Sequence, residues 1–253
     1  MAVFHMEGIH ISLKAETLGH FWGIDITNTL IMSLLITLIF SSIAFFISKR
    51  RSILPSKIQV ILEILIGGVY GYIKETLEDD KLAKKFFPLI ITIFFFVLLA
   101  NWIQFLPGIG SIGFFENGSH GKEFVPLLRS MNTDLNITLA LAIIAFFAIE
   151  IAGIIKLGSL RYFSKFVNFH SPLGFLIGII DLFSELARLI SFSFRLFGNI
   201  FAGEVMIAIV IFFVPVILPV PMLLFEVFVG FIQASIFALL TLFFIKIAIT
   251  ESH

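Results

Sequence analysis

The sequence predicts an all-α membrane protein: five transmembrane helices plus one surface amphipathic helix, with the last two helices long and joined as an antiparallel hairpin. Three observations lead there. Of 253 residues, 59% are apolar and only 13% charged, against about 25% charged in an ordinary soluble domain; mean hydropathy is +1.09. Apolar runs recur at lengths suited to crossing a bilayer. The few charged residues are distributed very unevenly. Such a chain cannot cover a water-soluble surface. Its formal charge is zero, with 17 basic and 17 acidic residues, so no excess points to nucleic acid. The absence of cysteine excludes a disulfide scaffold and Cys-ligated metal sites.

Residues 1–25 form an external N-terminal segment, polar and His-rich, without the basic start and short apolar core of a signal peptide. Residues 26–48 are the first span. Residues 56–78 differ in kind. Gln59, Glu63, Gly67, Tyr70 and Lys74 fall on one stripe, and Ile58, Ile61, Leu62, Leu65, Ile66, Val69 and Ile73 fill the other side. That pattern suits a helix lying on the membrane surface, although a sixth crossing inside the bundle has the same periodicity. The second span is 86–106, with Pro88 near its start, where a missing N–H does little harm. The third is 135–155. The fourth, 172–213, would be ~63 Å long as a straight helix, about twice the hydrocarbon thickness, so it must tilt, break or run along the bilayer. Prolines 215, 219 and 221 make a turn before the fifth span, 221–249.

The Lys/Arg distribution sets the orientation. With five crossings, Lys49, Arg50, Arg51, Lys57, Lys74, Lys81, Lys84, Lys85, Lys156, Arg161, Lys165 and Lys246 share one side. Lys14, Lys122 and Arg129 share the other. The N-terminus is expected outside and the C-terminus in the cytoplasm. A sixth crossing would divide the basic groups between the two sides, which favours the surface helix.

Several motifs carry little. Gly108, Gly110 and Gly113 match a dinucleotide fingerprint, but they follow a membrane span rather than a strand opening a βαβ unit. Asp79 and Asp80 lack the second acidic cluster that a metal–diphosphate site would need, and LEDDKLAKK reads as a solvated, mixed-charge loop. Asn117-Gly118-Ser119 is a glycosylation sequon, relevant only in a eukaryotic secretory route. Histidines 5, 10, 20, 120, 170 and 253 show no metal-ligand spacing. No cofactor and no metal are expected.

The informative residues lie between Asp181 and Gln233. An Arg or Asp at the centre of a span costs roughly 2.5–3.5 kcal/mol on insertion scales, yet the last two spans carry Asp181, Glu185, Arg188, Arg195, Glu204 and Glu226. Six such groups cannot all face lipid. Arg188 can pair with Glu185 one turn away, but that leaves the rest of the set unexplained. Asp181, Arg188 and Arg195 are spaced by seven and drift only about 20° per step, so they share a stripe. Asn199 lies one turn beyond Arg195, whereas Glu204 points to the opposite side of a straight helix. Glu226 and Gln233 share a face of the last span. In an antiparallel hairpin reversing near Val214–Pro215, one register sets Glu204 level with Glu226, near the outer face. It also sets Arg195 level with Gln233 further in, and Lys246 opposite the Asp181–Glu185 turn. Glu204 and Glu226 then line an outer aqueous path, and Asp181 and Glu185 an inner one. Between them stands a cation that cannot deprotonate in practice. Such an arrangement blocks direct leakage, and it needs a partner's mobile carboxylate to carry the ion between the half-paths.

In these segments the chain resembles the a subunit of F-type ATP synthases, the stator half of their membrane ion motor. Ala187–Glu204 (ARLISFSFRLFGNIFAGE) is similar to that family's arginine helix, and Phe228–Phe237 (FVGFIQASIF) to its glutamine-containing last helix. Leu98–Gly108 and Asn132–Leu141 support the resemblance, which covers nearly the whole chain and is weakest over residues 1–25. It implies that Arg195 is the essential arginine, Gln233 the glutamine beside it and Glu204 the outer half-channel acid. Position 226 holds glutamate where some bacterial members have histidine. Arg188 falls where a basic residue is common, and Asp181 where an acid is common. The resemblance further implies steeply tilted last helices, a neighbouring ring of c subunits, and b subunits of a peripheral stalk. A missing transit peptide favours a bacterial plasma membrane, although an organelle-encoded protein would lack one too. The transported ion is H⁺, or Na⁺ if the rotor carboxylate's surroundings select it. The chain itself is then not an enzyme.

Two other classes compete. A secondary antiporter working alone would show inverted repeats with paired broken helices, and no internal symmetry is present. A membrane prenyltransferase would need the missing second acidic motif.

Overall fold

A computed structural model describes residues 3–6, 9–12, 15–21, 23–49, 57–106, 109–118, 121–159, 162, 172–215 and 217–250. Among these residues the framework is helical. Helix α1 is Asn28–Lys49, α2 Lys57–Leu77, α3 Asp80–Ile103, α4 Leu135–Leu157, α5 Pro172–Phe213 and α6 Pro219–Thr250. All but α2 are long and apolar enough to cross a membrane. Their outward side chains suit lipid: Leu34, Leu38, Phe147, Leu173, Ile180, Phe183 and Leu224 are exposed and apolar. The protein is therefore an all-α membrane protein.

The helix starts follow from capping chemistry. Thr27 accepts from the Leu30 N–H at 3.2 Å and opens α1. Asp79 accepts from the N–H groups of Lys81 and Leu82, at 2.8 and 3.3 Å, and so starts α3. This corrects two sequence expectations. The Asp79–Asp80 pair belongs to a helix start rather than a solvated loop, and Pro88 stands well inside α3. A Pro there leaves the carbonyl one turn earlier without its usual N–H donor. Pro215 lies in the turn after α5, while Pro219 and Pro221 sit in the first turn of α6, where a missing N–H is harmless.

Three antiparallel hairpins add to the helices: β1 (Val3–Met6) with β2 (Ile9–Ser12), β3 (Thr17–Phe21) with β4 (Ile24–Thr27), and β5 (Gly113–Gly118) with β6 (Gly121–Pro126). The sequence reading contained no strands. Gly23, at φ +81°, supplies the left-handed turn residue between β3 and β4. The supposed dinucleotide glycines divide: Gly110 has φ +78°, Gly113 opens β5 where a Cβ would strike the Val125 carbonyl, and Gly108 lies outside the described residues. So do Ser119 of the sequon and histidines 120, 170 and 253.

The chain divides into two compact units. One comprises residues 1–53, 94–138 and 195–235. Its core contains Met32 and Ile36 of α1, Val97 and Ala100 of α3, Met131, and Leu196 and Ile200 of α5. Polar links cross this core. Thr29 donates to Asp134 at 2.8 Å, and Asp134 also caps α4 through the Asn136 N–H at 2.9 Å. Asn28 donates to Glu16 at 3.0 Å and to the Pro126 carbonyl at 3.3 Å. Asn132 donates to Asn101 at 2.6 Å, and Asn101 to the Gly230 carbonyl at 2.8 Å.

The second unit comprises residues 54–93, 139–194 and 236–253. Its core contains Ile73, Leu77, Ala83, Ile90, Ala145, Ile149, Leu242 and Ile245. Asp80 gathers the Tyr70 hydroxyl at 2.9 Å, Lys74 at 3.0 Å and Lys84 at 2.7 Å, fastening α2 to the start of α3. Partial burial, and then the hydrogen bond to Asp80, push the Tyr70 phenol up from its ordinary value, so it remains a donor at neutral pH. Lys246 pairs with Glu78 at 3.1 Å. Its ion partner lies on the α2–α3 turn. Tyr162 donates to Glu150 at 3.0 Å and lies against Gly153, where any Cβ would collide with the ring.

Asp134→Ala removes the α4 cap and the partner of Thr29 together. The expected loss is about 1–3 kcal/mol, read as a lower unfolding midpoint of the detergent-purified protein. An unchanged midpoint would show that neither contact contributes.

Candidate functional site

Within the first unit, the sequence-predicted residues Arg195, Asn199 and Glu204 come from α5, and Glu226 and Gln233 from α6. Glu226 is 4% exposed and Gln233 9%. The Glu226 carboxylate lies directly against Gly203, where an added Cβ would coincide with it. It therefore reaches the backbone of α5 next to Glu204. This is possible only because residue 203 has no side chain.

Glu204 is less enclosed, its side chain 41% exposed. Its Oε2 is nonetheless buried and accepts no hydrogen bond. The cation facing that oxygen is Arg129, whose Nη2 stands 3.5 Å away. Arg129 is only 8% exposed. Sequence reading counted it merely as one of three outer basic groups. The signal that could have singled it out is its place, five residues before the helix cap Asp134 and next to a segment with few other charges. Asn101 and Asn132, both fully buried, were likewise passed over as site neighbours. Through Gly230 they hold α6 midway between Glu226 and Gln233.

Arg195 is half-buried on α5. Asn199 donates its side-chain amide to the Arg195 carbonyl at 2.9 Å, so that amide is engaged within its own helix.

The second unit holds the other three residues. Glu185 is buried and accepts from Arg188 at 2.8 Å, an ion pair one turn apart. The Arg188 guanidinium also lies over the Phe244 ring, 3.9 Å from its centre, which suits a partly desolvated cation. Asp181 is half-buried one turn before Glu185. Phe192 contacts Phe237 and Phe244, with ring centres 5.1 and 5.6 Å apart. Within this unit partner numbers thus fall on α6 as they rise on α5. The two helices pair antiparallel. Among the described residues no group of three or more His, Asp or Glu side chains is placed to hold a metal ion.

Residues 29–246 match the ATP synthase A chain family. The chain belongs to that family. Among its curated relatives, ATP synthase subunit a of Geobacter sulfurreducens is 34% identical over 251 residues, 98% of this chain and 94% of the relative. ATP synthase subunit a 2 of Syntrophotalea carbinolica is 32% identical over 97% of this chain and 94% of its own length. ATP synthase subunit a of Mycobacterium tuberculosis is 33% identical over 90% and 89%. Family membership places the chain among the membrane components of the F-type ATP synthase, as a part of the complex distinct from its catalytic subunits.

The close approach of Glu226 to Gly203 gives a direct test. Gly203→Ala should destabilise the protein by about 1–3 kcal/mol through overpacking, seen as a lower unfolding midpoint. Combined with Glu226→Ala, which clears the space, the same change should cost far less. Simple additivity of the two would contradict the contact.

Proposed function

We propose that this chain is the proton-translocating stator subunit of a rotary ATP synthase, with two aqueous half-channels separated by Arg195. The observation that carries the reading is the company Arg195 keeps. A permanent cation on a membrane-crossing helix shares one compact unit with Glu204 and Glu226, in a chain of the ATP synthase A chain family.

Glu204 and Glu226 line the outer half-channel and relay protons by taking and releasing them at their carboxylates. Glu226 packs against the residue next to Glu204, which supports a handover between the two. Asp181 and Glu185 line the inner half-channel, with Arg188 held by Glu185. Arg195 separates the paths. It attracts the ionised carboxylate of a passing c subunit and, being unable to deprotonate, gives protons no short cut. Gln233, on the facing helix, offers that guanidinium an amide partner, and Asn199 steadies the Arg195 turn by its bond to the carbonyl. The c ring carries the proton from one half-channel to the other, and b subunits of the peripheral stalk hold the chain against the torque. The chain lies in a bacterial plasma membrane, N-terminus outside and C-terminus in the cytoplasm, an orientation that the twelve-to-three division of basic residues supports. Catalysis of ATP synthesis belongs to the whole complex, and this chain needs no cofactor or metal.

Arg195→Ala is expected to abolish both gradient-driven ATP synthesis and ATP-driven acidification of inverted vesicles, with the complex still assembled. Acidification at the wild-type rate would overturn the mechanism. Arg195→Lys should also be severely impaired, since lysine lacks the planar fork and can shed its proton when buried. Glu204→Gln should slow gradient-driven synthesis by roughly tenfold or more, as expected for loss of a proton-transfer group. An unaltered rate would remove Glu204 from the path.

A further inference from the structure

Arg129 is absent from the half-channel residues proposed above, yet the structure prepares its position with care. It stands between β6 and the helical turn Met131–Thr133, in a stretch where Ser130, Met131, Asn132, Thr133 and Asp134 are all buried. The stretch is pinned at both ends. Before it, the Leu127 N–H bonds the Ile112 carbonyl at 2.9 Å. After it, Asn132 is tied to Asn101 at 2.6 Å and Asp134 to Thr29 at 2.8 Å. Within it, the Thr133 hydroxyl donates to the Ser130 carbonyl at 2.8 Å. A guanidinium held on so constrained a loop does not reach Glu204 by chance rotation of a long surface side chain.

Glu204 faces two ways. Its Oε2 is buried on the Arg129 side, whereas the side chain as a whole is 41% exposed. At 3.5 Å the contact is an ion pair, longer than a tight charge-assisted hydrogen bond. A pair of this kind balances the carboxylate's charge without capping its open oxygen.

We propose that Arg129 is a positioning residue of the outer half-channel, a fixed counter-cation that holds Glu204 with one oxygen open to the aqueous path. The proposal rests on the reading of Glu204 as an outer relay group. In each cycle a hydronium gives its proton to the open oxygen, water leaves, and the Glu204 acid is neutral. The Arg129–Glu204 ion pair is then broken, and loss of the proton to the next acceptor restores it. The cation is placed to pair with the carboxylate each time it is charged. Because arginine does not deprotonate, it does this without becoming a relay itself.

A double-mutant comparison in the whole ATP synthase tests this, with the complex reconstituted into liposomes and synthesis driven by an imposed proton gradient. Arg129→Gln is expected to slow synthesis about tenfold, and Arg129→Lys to recover most of the rate by restoring the charge. In the Glu204→Gln background, adding Arg129→Gln should change nothing further, because the Glu204 carboxylate through which the cation acts on the path is gone. A loop that is merely structural would instead give the same loss in both backgrounds, and that result overturns the proposal. So does a wild-type rate for Arg129→Gln while Glu204→Gln is slow, which leaves the relay reading intact. A wild-type rate for Glu204→Gln removes the relay reading and this proposal together. If Arg129→Gln reduces the amount of assembled complex, Arg129→Lys and Arg129→His in the two Glu204 backgrounds provide the same comparison. Equal fractional losses in both backgrounds would again overturn it.

Discussion

Taking an ion out of water costs several kcal/mol unless another charge or a polar group meets it, and the polar architecture of this chain answers that cost. Glu185 and Arg188 meet each other one turn apart, and the guanidinium adds the face of Phe244. Glu204 is met by Arg129, a residue 75 positions away along the chain. Asp134 takes the Thr29 hydroxyl and the Asn136 N–H in the first turn of a helix.

The same economy sets the packing. In the first unit, the Asn132–Asn101–Gly230 chain of hydrogen bonds joins a loop, α3 and α6 without placing a charge in the core. In the second, Asp80 takes the Tyr70 hydroxyl and the ammonium groups of Lys74 and Lys84, Glu78 pairs with Lys246, and Glu185 pairs with Arg188 within α5. Glycine acts where side chain meets backbone: Gly203 admits the Glu226 carboxylate and Gly153 the Tyr162 ring. Neither needs an unusual backbone angle. Each needs only the absence of a Cβ.

Much of the fold was legible in the residues. The apolar runs gave five crossing helices, because the bilayer demands length and hydrophobicity and both are local properties. The seven-residue spacings of Asp181, Arg188 and Arg195, and of Glu226 and Gln233, marked the charged faces for a similar reason. The misreadings share a cause as well. Asp79 and Asp80 looked like loop residues because a capping aspartate and a solvated one are identical in sequence. Pro88 was set near a helix start because hydropathy marks the apolar stretch and not the polar turn before it. The three hairpins escaped notice because strand pairing depends on a partner segment and leaves only a weak signal in short polar stretches.

By itself, then, the sequence determined the membrane class, the helices, their antiparallel pairing and the group of ionisable residues that set this chain apart. These follow from periodicity and from the cost of charge in an apolar medium, and both are written along the chain. Only the tertiary structure decided which ion meets which. Arg129 with Glu204, Lys246 with Glu78 and Glu226 with Gly203 join residues 23 to 168 positions apart. A charge acts through distance in space, and no spacing rule along one helix contains that distance.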